Sequence, residues 1–592
     1  MTAPTFLGRV GTVAGSTVSV RQAESVASGI AIIGGRSYRV GQVGSFVRIP
    51  QGYHDLYGII SEAGANATPE TLRDAGERGD SWMTVQLVGE IVETSFERGI
   101  SQYPGINDEV HLVTEEDLAK IYGGEASGQV TIGRLAGAES IPVRVDLGAL
   151  VTRHSAILGS TGSGKSTTVA SLLRSLCSTA FPSARVLLID IHGEYAAALK
   201  SIAAVYRINP SGDERPLVVP YWAIDPQDLF DFLTGGLDDK AYTAILDQVQ
   251  AAKAMVAKDF KGIDEAALTA STPVPFSLKQ LWYDLIDPEL KTWANTERTV
   301  AALEDKGDAA TLRQPRYKPP GAGSALPNQN QQGVLHIRRQ LDQMRSRLLD
   351  RQYDFMLRPG DWEPGLDGKA KKDLPELLEA WFGHDKPVTV LDLSGVPSTV
   401  LLRLIGGILN IAYEALFWGR ELPEGARNRP QLVVMEEAHR YLGKDADNPA
   451  RDMVQRIVKE GRKFGIGAMI VSQRPSEIDE TILSQCGTLI ALRLSNTNDR
   501  GKVQAALPDS LSGLIDALPV LRTGEALIMG EAAKLPIRCR ITLPPEDARP
   551  SSGDPAVAKA WSTPRGKQDY ERLAAAWRSQ DPKWKPNEKD KA

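Results

Sequence analysis

The segment GSTGSGKS at residues 159–166 constrains this chain more than any other. It satisfies the pattern G-x-x-x-x-G-K-[ST] of a phosphate-binding loop. The run before it, residues 155–158, is short and apolar like a buried strand, and residues 167–176 carry leucines at helical spacing. The alternative, a glycine-rich turn that merely opens an ordinary helix, fits less well because both flanks match the setting that the loop requires.

The loop predicts a nucleotide site with defined chemistry. Its glycines allow a tight turn in which consecutive backbone N–H groups, at the positive end of a helix dipole, surround the β-phosphate. Lys165 would reach the β- and γ-phosphates, and Ser166 would ligate Mg²⁺. The predicted cofactors are therefore ATP and Mg²⁺, bound by Gly159, Ser160, Thr161, Gly162, Ser163, Gly164, Lys165, Ser166, Thr167 and, on the next strand, Asp190.

Composition limits the other possibilities. The chain has 592 residues, 42% hydrophobic and 24% charged, and a net charge of -6, so any contact with DNA must be local. Cys177, Cys486 and Cys539 are widely spaced and indicate neither a disulfide framework nor a zinc site. No apolar signal region opens the chain, and the one membrane candidate, residues 401–419, carries its polar residues on one helical stripe. We expect a cytoplasmic protein that does not span a membrane.

The apolar runs divide the chain into five segments. Residues 1–145 contain short Val, Ile and Thr runs broken by glycine, which predicts a small β-barrel. Residues 146–225 follow the order strand, loop, helix, strand of a parallel α/β sheet, and such strands resume in residues 386–544. Residues 226–385 are helical and polar, which indicates an insertion. Residues 545–592 form a Pro-, Ser- and Lys-rich tail with one short helix near 570–578.

Two carboxylates follow the apolar strand at residues 431–435. Nucleotide hydrolysis needs an acid that holds Mg²⁺ through water and a group that polarises the attacking water. We assign the first role to Glu436 and the second to Glu437. Aspartate is usual at the first position, but the extra methylene still permits an outer-sphere contact. The alternative is a surface strand that ends in solvated acids, which the consecutive apolar residues disfavour.

The residues alone say less about the roles of four further positions. Gln473 ends the next predicted strand and would sense the γ-phosphate. Asp190 is either a functional acid or part of a tight, hydrogen-bonded turn. Arg462, on a predicted helix, is read as a solvated side chain. Arg153, one strand upstream of the loop, is read as part of a capped strand start.

In this order the motifs resemble those of the HerA family of hexameric DNA-translocating ATPases, relatives of FtsK, and we expect a bacterial member. The resemblance covers about residues 5–545 and includes the segments at 190–195, 391–394, 436–439, 460–463 and 472–475. It implies an α/β fold. The ATPase core would be RecA-like, with an N-terminal barrel like the HAS barrel and a helical insertion.

The resemblance also implies roles for arginines. The active site of such hexamers lies between subunits, so Arg462 is implied to be an arginine finger for the neighbour's γ-phosphate. Arg153 is implied to contact phosphate within its own subunit. Channel loops would hold duplex DNA by its phosphates, with Arg440, Tyr441 and Lys444 as candidates. A second set lies in the insertion, where a solvated helix face is the other interpretation: Arg338, Arg339, Arg345, Arg347 and Arg351.

The function that the resemblance implies is an ATP-driven, homohexameric double-stranded-DNA translocase or helicase. It would work with a separate effector docked on the barrel, such as a NurA-like nuclease, a sirtuin-like protein or another nuclease, in DNA-end processing or antiphage defence. One alternative is an assembly platform in which ATP regulates a partner nuclease or NAD-hydrolase with little translocation. Another is a protein-remodelling ATPase, which the context at residues 472–475 disfavours.

Overall fold

A computed structural model gives the fold as a β-barrel, a layered α/β core and a mainly helical segment that divides the core in sequence. The residues it describes are 5–23, 30–33, 36–65, 81–93, 95–122, 127–321, 325–328, 333–444, 447–506, 515–551, 556–564, 570–579 and 584.

The N-terminal strands form a closed barrel, as the sequence predicts. Described strands of this part are β1 (Phe6–Ala14), β2 (Thr17–Gln22), β3 (Ile30–Ile33), β4 (Arg36–Arg39), β5 (Phe46–Pro50), β6 (His54–Ala65), β7 (Ser81–Val92), β8 (Ser95–Arg98) and β9 (Glu109–Leu112). The order β2-β1-β9-β5-β6-β7 closes because β2 also pairs with β7. Buried and more exposed residues alternate along β7, as expected where one face of a strand meets a core.

The remaining strands belong to the core and to its insertion. They are β10 (Gln129–Leu135), β11 (Ala138–Asp146), β12 (Ser155–Leu158), β13 (Val186–Asp190), β14 (Ala203–Arg207), β15 (Arg215–Pro216), β16 (Thr292–Trp293), β17 (Leu303–Asp305), β18 (Arg316–Tyr317), β19 (Leu326–Pro327), β20 (Val388–Asp392), β21 (Gln431–Met435), β22 (Ile466–Ser472), β23 (Thr488–Ala491), β24 (Glu525–Gly530) and β25 (Ile537–Ile541).

The core sheet has the order β11-β10-β25-β24-β23-β12-β22-β21-β13-β20-β14-β15. Its central strands run parallel, and β12, β13, β21 and β22 are buried along their whole length. Helices on both faces explain why these strands read as continuous apolar runs. Because parallel strands end at one edge of the sheet, the residues that follow β12, β21 and β22 meet there. The predicted α/β core is confirmed.

The sheet pairing changes one predicted boundary. Strands β10 and β11, which the sequence assigned to the barrel, pair with each other, and β10 pairs with β25 of the core sheet. The described barrel strands therefore end with β9 at Leu112. An alternating strand shows from sequence that it has one buried face, but it does not show which sheet it joins.

The described α-helices are α1 (Glu115–Tyr122), α2 (Leu147–Thr152), α3 (Lys165–Leu176), α4 (Tyr195–Ala198), α5 (Pro226–Thr234), α6 (Asp239–Val256), α7 (Leu278–Leu290), α8 (Arg338–Leu349), α9 (Asp354–Leu357), α10 (Leu374–Leu378), α11 (Ser398–Trp418), α12 (Pro449–Phe464), α13 (Glu480–Ser484), α14 (Thr497–Ala505), α15 (Val557–Ser562) and α16 (Tyr570–Ser579). Helix α16 corresponds to the predicted tail helix, and α15 is an additional one. Residues 552–555, 565–569, 580–583 and 585–592 of the predicted tail lie outside the described residues.

Helix α11 is long and apolar enough to cross a membrane by length and composition, but 61% of its most apolar window is buried inside the fold. It packs closely against α12. A Cβ atom at Gly406 would lie 2.8 Å from the Cβ of Pro449, so only glycine permits this approach. In this fold α11 is a core helix, as the polar stripe in its sequence predicted.

Candidate active site

The phosphate-binding loop follows β12 and is fixed by the strands on either side of it. The Gly159 N–H donates to the Ser472 carbonyl at 3.1 Å, at the end of β22. The Ser160 N–H and hydroxyl both donate to the Arg493 carbonyl, at 2.9 and 2.8 Å, just beyond β23. Gly164 caps α3 with φ at 95°, a left-handed conformation that favours glycine. The loop is therefore held in shape by residues at the ends of the core strands.

The two acids after β21 face the loop lysine, as their places at one sheet edge predicted. Lys165 begins α3, is only 7% exposed, and forms an ion pair with Glu437. Its Nζ atom also lies 3.5 Å from Oε1 of Glu436. Glu437 has a φ of 49°, a conformation that non-glycine residues seldom adopt and that is concentrated at active sites. This turn in the backbone directs adjacent acids to a single lysine.

Glu436 is enclosed by protein. It is 1% exposed, and the Tyr195 hydroxyl donates to its Oε2 atom at 2.8 Å. Burial is the largest cause that raises the pKa of Glu436 to about 7; the charge of Lys165 opposes the rise and that of Glu437 adds to it. The carboxylate is thus held away from bulk water, next to the loop.

Asp190 forms a turn. Its Oδ1 atom accepts from the N–H groups of His192 at 3.2 Å and Gly193 at 2.8 Å, and its Oδ2 atom accepts from the Tyr195 N–H at 3.0 Å. Burial raises the pKa of Asp190 to about 6. The structure thus supports the hydrogen-bonded turn over the predicted nucleotide contact, because the backbone already uses both carboxylate oxygens.

Polar side chains connect the loop to the end of β22. The Thr161 hydroxyl donates to Oε1 of Gln473 at 2.6 Å, so the predicted γ-phosphate sensor touches the loop. His439 lies between the two strand ends: its Nδ1 atom is 3.2 Å from Oε2 of Glu437 and 3.2 Å from the Ser472 hydroxyl. Burial lowers the pKa of His439. The imidazole of His439 therefore lies between the carboxylate of Glu437 and the strand that precedes Gln473.

Arg153 and Arg462 lie at the opposite edge of the sheet from the loop. Arg153 precedes β12, Arg462 belongs to the last turn of α12 before β22, and the loop follows the other end of β12. The 4 residues of β12 separate the two edges by about 13 Å at about 3.3 Å per residue. The implied contact of Arg153 with its own subunit's nucleotide is therefore contradicted by the geometry.

These two arginines line one basic cavity of about 750 Å³ between the barrel and the core. Arg153 forms an ion pair with Glu531 on its wall. His154, the next residue along the chain, is buried, and its Nδ1 atom accepts from the Ala468 N–H at 3.1 Å. Burial lowers the pKa of His154 to about 4. The other charged lining residues are Arg98, Arg144, Asp146 and Lys534.

The structure separates the predicted DNA contacts beyond β21. Arg440 and Lys444 are exposed, and Nη1 of Arg440 lies 3.4 Å from Nε2 of His192. Tyr441 is fully buried, and its hydroxyl donates to the Glu436 carbonyl at 2.9 Å. Its prediction as a DNA contact was wrong, because an aromatic ring beside a charged run has the same sequence signature whether it packs inside or outside.

The arginines of the insertion differ in their exposure to solvent. Arg345 on α8 donates through Nε to the Leu312 carbonyl at 2.6 Å, and the Arg347 guanidinium lies 4.4 Å from the ring centroid of Phe232. Arg338 and Arg339 at the start of α8 are exposed. Arg345 and Arg347 therefore contact protein instead of lying on a solvated helix face, whereas the exposure of Arg338 and Arg339 agrees with either interpretation.

The donor groups at the loop fit a nucleotide with Mg²⁺. Among the buried side-chain atoms of the described residues that lack a hydrogen-bond partner, Ser163 Oγ, Glu436 Oε1 and Glu437 Oε2 belong to this site. No cluster of three or more His, Cys, Asp or Glu residues suited to a metal occurs in the described parts of the chain. Mg²⁺ keeps several waters and takes one or two protein ligands plus phosphate oxygens, so the oxygen atoms of Ser166 and Glu436 suffice as its protein ligands. ATP with Mg²⁺ is the ligand that these groups accommodate.

Some site residues were missed by the sequence reasoning. Tyr195 lies inside a quoted motif, but its contact with Glu436 spans 241 positions and has no local signal. Arg493 donates from Nη2 to the Gly162 carbonyl at 3.2 Å, and the Thr523 hydroxyl reaches the same oxygen at 3.3 Å. The position of Arg493 immediately beyond a predicted core strand was the one available signal.

Comparison with known proteins agrees with this geometry. The family model "Helicase HerA, central domain" matches residues 130–412, and "Helicase HerA-like C-terminal" matches residues 411–543. The DNA double-strand break repair helicase HerA of Pyrococcus furiosus is 27% identical over 474 residues, 79% of this chain and 78% of that protein. The HerA of Saccharolobus solfataricus is 26% identical over 451 residues, 76% of this chain and 74% of that one.

Among solved structures, VirB4 of Thermoanaerobacter pseudethanolicus matches 71% of this chain and 98% of its own, with a TM-score of 0.43 and 16% identity.

The two HerA models together span residues 130–543, which include the loop, both acids and the arginines of the opposite edge. The chain therefore belongs to the HerA helicase family, and it is a P-loop ATPase.

Proposed function

We propose that this protein is an ATP-driven motor that moves along double-stranded DNA as a homohexamer. The observation that carries the proposal is that the loop residues and two arginines lie at opposite edges of the core sheet. Lys165, Glu436 and Glu437 lie at one edge, and Arg153 and Arg462 lie at the other. A ring of identical subunits with heterologous contacts would place one subunit's arginines against its neighbour's loop. Both arginines would then act between subunits.

The residues of the loop edge would bind and orient the reactants. The loop N–H groups and Lys165 would hold the phosphates, with Ser166 and Glu436 on the metal side. Mg²⁺, when bound, neutralises charge on the phosphate oxygens. Lys165 would exchange its ion pair with Glu437 for the phosphates, which leaves the Glu437 carboxylate to orient the attacking water. Gln473, in contact with Thr161, would report the γ-phosphate.

The opposite edge would complete the site of the next subunit. Arginines stabilise the charge that develops on a transferring phosphoryl group, and they do so most strongly where water is excluded. The Arg153–Glu531 ion pair holds one guanidinium at the cavity wall. A neighbour's phosphates would compete with Glu531 for this guanidinium, so hydrolysis would depend on the subunit contact.

DNA is proposed as the track for two reasons. Two relatives of this chain are DNA double-strand break repair helicases, and each match covers most of both proteins. Exposed Arg440 and Lys444 lie in the segment that follows Glu436 and Glu437. A change in the position of these acids during hydrolysis would therefore move the two exposed cations. With a net charge of -6, contact with DNA must be confined to such local cations.

We also propose that the chain works with a separate effector protein that docks on the barrel. The two would act in DNA-end processing or in antiphage defence, and the proposed location is the cytoplasm. A NurA-like nuclease, a sirtuin-like protein or another nuclease would fill this role. The support is the barrel itself, which closes on its own core and is joined to the ATPase by Arg98, whose Nε donates to the Lys534 carbonyl at 2.9 Å.

The test is ATP turnover by the purified protein with and without linear duplex DNA, with Glu437→Ala as the control. We expect strong stimulation by DNA in the wild type and no turnover in the variant. Equal turnover with and without DNA would overturn the motor and favour the assembly platform. Stimulation by an unfolded protein in place of DNA would favour a remodelling ATPase.

A further inference from the structure

We infer that Tyr195 is a positioning residue for Mg²⁺ binding: its hydroxyl fixes the Glu436 carboxylate so that one oxygen is held and the other faces the phosphate-binding loop. The two oxygens have different surroundings. Oε2 accepts the Tyr195 hydroxyl at 2.8 Å. Oε1 has no hydrogen-bond partner among the described residues and lies 3.5 Å from Nζ of Lys165.

Tyr195 is itself held in place. It is fully buried, and its backbone N–H donates to Oδ2 of Asp190 at 3.0 Å. Asp190 ends β13, which pairs directly with β21, the strand that ends before Glu436. The hydroxyl belongs to the first residue of α4, shortly after β13, and the carboxylate directly follows β21, so both lie beyond the ends of two adjacent strands of one sheet. A hydrogen bond between two such elements is rigid because neither backbone can move without the other.

The unusual residue at this position explains the need for a positioning group. Glutamate has one more rotatable bond than the aspartate common in this motif, so a free Glu436 side chain would populate several rotamers and lose entropy when it binds. The bond from Tyr195 selects one rotamer in advance. Such preorganisation by a neighbouring hydrogen bond is how proteins orient metal-binding groups. The pair Tyr195–Glu436 acts as a unit that replaces the shorter acid.

This inference rests on the proposed role of Glu436 and not on movement along DNA, so its test omits DNA. A fluorescent ATP analogue is titrated into the full-length protein with Mg²⁺ and with EDTA. The ratio of the two affinities is the gain that Mg²⁺ provides. Glu436→Gln measures how much of that gain depends on the acid. Tyr195→Phe removes only the hydroxyl, and the affinity in EDTA reports whether the loop of the variant is intact.

The matched control is Tyr221→Phe. Tyr221 is also buried, and its hydroxyl donates to the Phe276 carbonyl at 2.6 Å, away from the loop. We expect Tyr195→Phe to reduce the Mg²⁺-dependent gain by roughly tenfold, the size of one hydrogen bond to a charged group, with little change in EDTA. We expect Tyr221→Phe to match the wild type.

Three results would overturn the inference. In the first, Mg²⁺ raises the affinity of Tyr195→Phe as much as that of the wild type, while Glu436→Gln is impaired. This result would remove the role of Tyr195 and leave that of Glu436. In the second, Tyr195→Phe loses as much affinity for the ATP analogue in EDTA as in Mg²⁺. This result would show that Tyr195 has only a structural role. In the third, Mg²⁺ raises the affinity of Glu436→Gln as much as that of the wild type. This result would refute the proposed role of Glu436, and the inference with it. In the double variant, Tyr195→Phe should add nothing to Glu436→Gln.

Discussion

The Nζ atom of Lys165 pairs with the carboxylate of Glu437, so this ion pair joins the phosphate-binding loop to the end of β21. Both side chains are buried, at 7% and 6% exposure, and an ion pair between buried partners is costly to break on one side only. In the proposed mechanism the phosphates of ATP would replace Glu437 as the partner of Lys165. Binding of ATP would then release the carboxylate that is proposed to orient the attacking water.

Glu437→Gln should separate binding from chemistry. The amide cannot accept a proton from water, so we expect ATP turnover to fall by about 10² to 10⁴, the usual contribution of a general base. ATP should still bind, since Lys165 no longer has a charged competitor. Steady-state turnover and the affinity for a fluorescent ATP analogue measure the two effects. Lys165→Ala is the contrast, and it should lose binding as well; equal binding defects in both variants would contradict this division of roles.

The buried Lys253 should make stability rise with pH. Its Nζ donates to the Ala270 and Thr272 carbonyls, each at 2.6 Å, and burial lowers its pKa from 10.5 to about 7, while Asp225 opposes the shift. Between about pH 7 and 10 the unfolded chain holds a proton that the folded chain lacks. The free energy of unfolding therefore increases with pH, by at most about 1.4 kcal/mol per pH unit.

Urea unfolding at pH 7 and pH 9 measures this rise. Lys253→Met should flatten it, because the group that titrates differently in the two states is gone. Lys240→Met, at an exposed position of the same helix α6, should keep the wild-type slope. Identical slopes in all three proteins would show that Lys253 keeps its proton in the folded state.

The sequence predicted the parts of the site that local pattern determines. The loop at residues 159–166 and the acids after residue 435 each follow a buried strand, and parallel strands bring their ends together. It failed where the answer depended on pairing across the chain. The direction of β12 places Arg153 at the far edge, the burial of Tyr441 depends on how the turn after Glu437 packs, and the Tyr195 contact with Glu436 joins two distant segments.

Contact with DNA should be local and electrostatic. Because phosphate contacts release counterions, the affinity for duplex DNA should fall steeply with salt and depend little on base sequence. Arg440→Ala should lower the slope of log affinity against log salt by roughly one. Arg316→Ala, which removes an exposed arginine of the insertion, should leave it unchanged. Fluorescence anisotropy at several salt concentrations gives both slopes; strong preference for one sequence would contradict binding through phosphates.

A divided active site can be tested by mixing subunits. Arg462→Ala removes the finger and keeps the loop, whereas Lys165→Ala removes the loop function and keeps the finger. In a mixed ring some junctions combine an intact Arg462 from one subunit with an intact Lys165 from its neighbour, so turnover should recover in part.

The opposite-edge position of Arg153 predicts the same recovery for Arg153→Ala mixed with Lys165→Ala. Glu437→Ala mixed with Lys165→Ala is the control and should not recover, because both changes disable the same edge. If Arg153→Ala behaved like this control, its action within the subunit would be restored, and no recovery with Arg462→Ala at any ratio would refute a site shared between subunits.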